Sequence, residues 1–349
     1  MSASGRDFEL ADEPVRGGTS RPGVPGLSGA DTLRAWLSGD LPAPPIARLT
    51  GRRLVAVDEG SATYALPVSP WLLGPKGRVH PGVLAFLAAA PLGAAVLSAL
   101  PAGATCTMAE LSMTFLEAPP GDPGEVTAHG ELLAIRGDSG LAAVRVTGQD
   151  GELAAYGTAR SMLLPLAAPA GAETGADPHA DPDTAPAGPG EPEHATPDPW
   201  QRPVEWGPVA DGERMSGLEI LGALARGDLP RSPIDRLLGI SLREAQWGGA
   251  AFAMPASRWL AQELGTVFAG AIALLGMSAA SAAVQTTAER GARFAALDMK
   301  LNLLRPLAPD GQDVVAVGKV AHRGRRLGSG RARCTTAASW SPCSLGRRR

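Results

Sequence analysis

The chain repeats itself, and no other feature of its sequence restricts the fold as strongly. Gly39-Asp40-Leu41-Pro42, followed by Pro45-Ile46 and Arg48-Leu49, returns 188 positions later as Gly227-Asp228-Leu229-Pro230, Pro233-Ile234 and Arg236-Leu237. The register holds without a gap. Pro67, Ser69, Trp71 and Leu72 meet Pro255, Ser257, Trp259 and Leu260, and Gly77, Val79 and Gly82 meet Gly265, Val267 and Gly270. Glu110 then meets Asp298, Gly130 meets Gly318 and Arg145 meets Arg333. A correspondence running from Gly39 to Thr147 at one offset means two copies of one folding unit. With 349 residues, 44% of them hydrophobic, the chain can bury two such cores.

The copies are expected as domains 29–166 and 212–340, joined by a linker over 167–211 rich in Pro, Ala, Gly, Asp and Glu. Such a segment buries too little apolar surface to offset its ordering entropy. Residues 1–28 are acidic where an export signal needs a basic start and an apolar core, so they are expected to be a disordered leader. Three unpaired cysteines and five scattered histidines give neither a disulfide framework nor a metal knuckle. A cytoplasmic protein without a cofactor is the expectation. The formal charge of -3 provides no global field for nucleic acid.

Val267 to Ala288 is 22 residues without a charge, long enough to span a bilayer. It is built mostly from Ala, Gly, Ser and Thr and lacks interfacial aromatic belts, so a helix covered by a sheet is expected instead of a membrane span. In copy one, Thr63 to Val68 reads as a strand and Trp71 to Val79 as a glycine-rich loop. A long apolar helix over Leu84 to Leu100 is entered through His80-Pro81-Gly82, where proline suits an early helical position. Four antiparallel strands are then expected as a meander: Thr105 to Leu116, Gly124 to Arg136, Gly140 to Gln149 and Glu152 to Leu164. The class is α+β, each antiparallel sheet wrapping one long central helix.

Three segments then carry a family resemblance: Val79-His80-Pro81-Gly82, Glu110-Leu111-Ser112-Met113-Thr114-Phe115-Leu116, and Asp298-Met299-Lys300-Leu301-Asn302-Leu303-Leu304-Arg305-Pro306. They resemble the PaaI-like hotdog-fold acyl-CoA thioesterases, here as a tandem double hotdog. The resemblance implies a thioester hydrolase acting on acyl-CoA, with coenzyme A entering as part of the substrate. It also implies sites between the helix start of one hotdog and its partner, so the tandem would be a pseudo-dimer within one chain, with further self-association left open.

Thioester hydrolysis needs donors for the carbonyl oxygen, and the helix-entry amides around Gly82 and Gly270 are the candidates. His80, at the same entry, is a candidate for holding substrate or orienting water. The family's helix acid, nine positions after the histidine, falls on Ala89 and Met277, and copy two has Phe268 in place of the histidine. The carboxylates at matched positions, Glu110 and Asp298, are the substitutes, with Thr107 and Ser112 beside the first and Asn302 beside the second. One surviving site is therefore expected, with His80, Gly82 and Glu110 catalytic, and Thr107, Ser112, Gly270, Asp298 and Asn302 binding substrate. Loss of the helix acid also suits a hotdog that binds an acyl ligand without hydrolysing it. The end of copy two, Ser339-Trp340-Ser341-Pro342 and the basic tail 341–349, breaks the expected last strand and suggests a shifted reading frame or a degraded terminus, with a genuine basic tail left open.

Overall fold

A computed structural model describes residues 13–19, 26–74, 77–166, 196–204, 213–292, 294–324 and 327–336. Copy one opens with α1 (Gly29–Ser38) and α2 (Pro45–Thr50), continues through the hairpin β1 (Arg53–Asp58) and β2 (Ser61–Pro67), and enters the central helix α3 (Pro81–Ser98). It ends with β3 (Ala104–Phe115), β4 (Glu125–Arg136), β5 (Ser139–Thr147) and β6 (Leu153–Pro165). Copy two repeats the order with α4 (Gly217–Arg226), α5 (Pro233–Leu238), β7 (Ser241–Gln246), β8 (Gly249–Pro255), α6 (Ala269–Gln285), β9 (Asp298–Asn302), β10 (Asp313–Arg323) and β11 (Gly328–Thr336).

The repeated residues sit where the backbone needs them. Ser28 and Ser216 cap α1 and α4, each accepting a backbone N–H. Gly39 and Gly227, the glycines of the repeated Gly-Asp-Leu-Pro, end those helices in the left-handed region at φ 85° and 79°. Gly130 and Gly318 are where a strand crosses its central helix. A Cβ there would stand 2.5 Å from Pro91 O in copy one and 2.0 Å from Ala279 O in copy two.

α3 is apolar on every side, and its burial under the sheet satisfies that composition. Among the described residues it is the one helix long and apolar enough to cross a membrane, and most of it is buried. The uncharged stretch from Val267 forms α6, likewise largely buried.

The strands that follow α3 do not form one sequential meander. The order is β1-β2-β4-β5-β6-β3-β9, so β3 pairs with β6 and leaves its other edge to copy two. That exchange joins the repeats: β9 runs antiparallel to β3, with Ser112 opposite Lys300, residues that occupy the same position in the two copies. An approximate twofold axis therefore passes through this pair, as in an isologous dimer. In copy two the strands run β11-β10-β8-β7, matching β5-β4-β2-β1. Among the described residues no strand lies between β9 and β11, where β6 stands in copy one. The expected last strand and basic tail beyond Thr336 lie outside the described residues.

The expected leader and linker differ from expectation wherever they are described. Arg16 is only 5% exposed and donates to Thr196 O at 2.8 Å and Asp198 Oδ1 at 3.1 Å. Arg202 grips the Glu13 carboxylate through both terminal nitrogens. The two repeated tryptophans are tied to these segments: Trp71 Nε1 donates to Arg202 O at 2.9 Å, and Trp259 Nε1 to Glu13 O at 3.3 Å. Glu13-Pro14-Val15 and Arg202-Pro203-Val204 are thus equivalent straps of opposite charge. The remainder of the linker, 167–195 and 205–211, lies outside the described residues.

Candidate functional site

The two central helices meet near their starts. A Cβ on Gly82 would stand 3.2 Å from Leu274, and one on Gly270 would stand 2.4 Å from Phe86 O, so the paired glycines permit the same close approach twice. The helix entries themselves differ. In copy one Gly82 N–H donates to His80 Nδ1 at 3.1 Å, so the histidine caps α3 and occupies the amide expected to face a substrate. Desolvation lowers the His80 pKa to about 4, which keeps the ring neutral in that capping role. In copy two Phe268 stands at the same position, and no side chain caps α6.

A cavity of about 120 Å³ opens at this uncapped entry. Its polar end is formed by Val267, Phe268 and Ala269, by the preceding loop with Gln262 and Glu263, and by Arg52 of copy one. Its apolar wall is a stripe of α3 that includes Ala89, Ala90, Gly93 and Ala94. The helix-acid position, Ala89, thus does line a cavity, and a carboxylate reaches that cavity from the other repeat.

Arg52 organises the polar end. It is 2% exposed, its Nη2 donates to Glu263 Oε1 at 2.8 Å, and its guanidinium lies 4.6 Å from the Phe268 ring centroid and 5.0 Å from that of Tyr64. A guanidinium stacked between rings retains its charge while shedding water. Phe268 is also set edge-on to Phe86, with centroids 4.9 Å apart. Burial, and after it the Glu263 charge, pushes the Tyr64 hydroxyl well above its usual range, so Tyr64 stays protonated. Gln262 Nε2 donates to Thr266 Oγ1 at 2.7 Å, bracing the loop that carries Glu263.

The copy-two half of this site carries a family signature: residues 264–337 match the model described as the thioesterase superfamily. The match covers the central helix and the following strands of the second repeat, whose antiparallel sheet around a central helix is the hotdog fold. No curated protein matches the chain.

Several solved structures are similar to parts of this chain. The PaaI protein from the E. coli phenylacetic acid degradation operon is 20% identical, covering 39% of this chain and 94% of its own, with a TM-score of 0.34. A thioesterase family protein from Silicibacter pomeroyi is 20% identical over 40% of this chain and 99% of its own, TM-score 0.35. A thioesterase from Haemophilus influenzae is 18% identical over 36% and 85%, TM-score 0.33.

Of the residues singled out from sequence, Thr107 lines the cavity. Glu110 does not: its Oε1 sits 3.1 Å from Lys300 Nζ, with Ser112 Oγ at 3.4 Å, in a partly exposed ladder between β3 and β9. The substitute carboxylate expected at Glu110 is thus paired with Lys300 of the other copy. Asn302 lies opposite Glu110 in that ladder, Asp298 lies opposite Thr114, and both are exposed. His80 and Gly82 form the capped entry of copy one, outside the cavity lining, while Gly270 packs against α3 beside it.

Three of the cavity's polar residues, Arg52, Gln262 and Glu263, carry a signal visible at the repeat offset. Their counterparts are Ile240, Gly74 and Pro75, so at these three positions a polar group appears in one copy where the other has none. Cys106 also lines the cavity, but burial pushes its thiol up to about 12 and removes it as a nucleophile. Among the described residues no cluster of three or more His, Cys, Asp or Glu is placed to hold a metal.

Proposed function

We propose that the chain hydrolyses acyl-coenzyme A thioesters in the cavity between the repeats, at the entry of α6. The observation that carries this reading is that Glu263 and an uncapped helix start face one apolar slot, beside a repeat of the thioesterase superfamily. The first-turn N–H groups of α6, Ala269 foremost, polarise the thioester carbonyl, aided by the positive end of the helix. Glu263 takes a proton from water as the water oxygen bonds to the carbonyl carbon. The C–S bond then breaks, and the proton passes to the departing sulfur. Arg52 fixes the carboxylate in place for that task, its Nη2 donating to Glu263 Oε1. The reaction needs no cofactor, and coenzyme A leaves as a thiol. The proposed setting is the cytoplasm, with the pseudo-dimer complete in one chain.

The test is thiol release from a panel of acyl-CoA substrates by the wild type and by Glu263→Gln. A fall in kcat of about 10² to 10⁴ fold is expected for loss of a general base. Equal turnover by the two proteins would remove Glu263 from the mechanism. One observation favours a second reading, an acyl-ligand binder without hydrolysis: Glu263 is already engaged by Arg52, and Ala89 and Met277 offer no other acid. That reading predicts a raised melting temperature with acyl-CoA and no thiol release.

A further inference from the structure

We propose that Gly93 sets the length of acyl chain the cavity accepts, and that its substrates are thioesters of unbranched, uncharged acyl groups lying along α3. This rests on the acyl-thioester reading of the same site. Glycine in a helix interior is disfavoured relative to alanine, so its presence there calls for a reason. At Gly82 of α3 the reason is steric, since a Cβ would stand 3.2 Å from Leu274. Gly93 has no such reason. Its φ is not positive, and an added Cβ would find nothing within 4 Å. What Gly93 does adjoin is the cavity.

Ala89, Ala90, Gly93, Ala94 and Leu97 all line that cavity and share one face of α3. From Ala89, level with the α6 entry, to Leu97 is eight residues, about 12 Å along the axis. Leu33 and Trp36 of α1 also line the cavity, and every side chain that α1 and α3 contribute to its lining is uncharged. Gly93 is midway, so any side chain there would halve the slot.

One buried polar atom in the same wall lacks a partner, Arg52 Nε at the polar end. A buried donor is seldom left unpaired, and this one is available to the polar, thioester end of an occupant whose acyl chain runs along α3.

The test compares kcat/KM for acetyl-, butyryl-, hexanoyl-, octanoyl- and dodecanoyl-CoA in the wild type, Gly93→Ala and Gly93→Leu. The octanoyl-to-acetyl ratio is expected to fall at least about tenfold in Gly93→Leu, and less but in the same direction in Gly93→Ala, which adds only a methyl group. A ratio within about twofold of wild type in both variants would overturn the proposal. If the wild type hydrolyses none of the five, hydrolysis fails as a reading, and the melting-temperature shift given by each thioester becomes the measure. Loss of the octanoyl shift in Gly93→Leu would then sustain the slot. The same shifts in all three proteins, or none in the wild type, would overturn it.

Discussion

Arg52 lies between two aromatic rings and one carboxylate, and its removal would leave Glu263 without its cation in a partly buried site. Arg52→Ala is therefore expected to lower stability by about 3 kcal/mol in urea denaturation. Arg52→Met combined with Glu263→Gln should recover most of that loss, because the apolar stem still packs on Phe268 and Tyr64. Equal losses in the single and double variants would contradict the pairing. His80 gives a second expectation. Its pKa of about 4 lies below the ordinary 6.5, so the unfolded chain binds the proton first and His80 makes the fold less stable as pH falls from about 6.5 to 4. The residue is partly exposed, which limits this to on the order of 2 kcal/mol. Asp235, raised by burial to about 6, works in the opposite direction over the same window, so bulk acid unfolding does not isolate His80. NMR titration of the imidazole does: a midpoint below 5 is expected, and one near 6.5 would contradict the capping role. His80 was conspicuous in the sequence because its type suggests catalysis, whereas Arg52 and Glu263 were not, being 211 positions apart and joined only by the fold.

At the scale of elements, the central helices and most strands of copy one were legible because their signals are local, whereas the short helices α1, α2, α4 and α5 were not read. Pro81 and the glycine turns mark the ends, and α3 had the right composition for a covered helix. What local pattern does not carry is strand order. β3 pairs with β6, and β9 crosses to the other copy, because β3 must keep one edge free to join the repeats. β1 was missed since its mostly exposed residues lack the apolar alternation that marks a half-buried strand. The matched pair Gly130 and Gly318 was visible as a repeat, and its cause is the strand–helix contact. Gly318→Ala places a methyl group against the Ala279 carbonyl and is expected to cost about 2 kcal/mol or more in urea denaturation. A stable variant would show that β10 does not ride so close to α6.

For the whole molecule, two weakly similar copies build one asymmetric site. One helix entry is capped by its own histidine, and the other is uncapped and faces a cavity walled by its partner. The straps at 13–19 and 196–204 hold the arrangement across the approximate twofold axis. Removal of residues 1–19 takes away Glu13 and Arg16, and a melting temperature lower by several degrees is expected; an unchanged one would mean that the straps contribute nothing. The repeat was readable from sequence and the helix entry that opens on the cavity was not, since it depends on where the fold brings the loop that carries Glu263. The most direct test of the account is therefore thiol release from acyl-CoA by Glu263→Gln and His80→Asn measured beside the wild type. The account predicts that Glu263→Gln loses at least about a hundredfold in kcat while His80→Asn, which can still cap α3, retains turnover. Loss in His80→Asn with activity kept in Glu263→Gln would move the site to the other helix entry and contradict it.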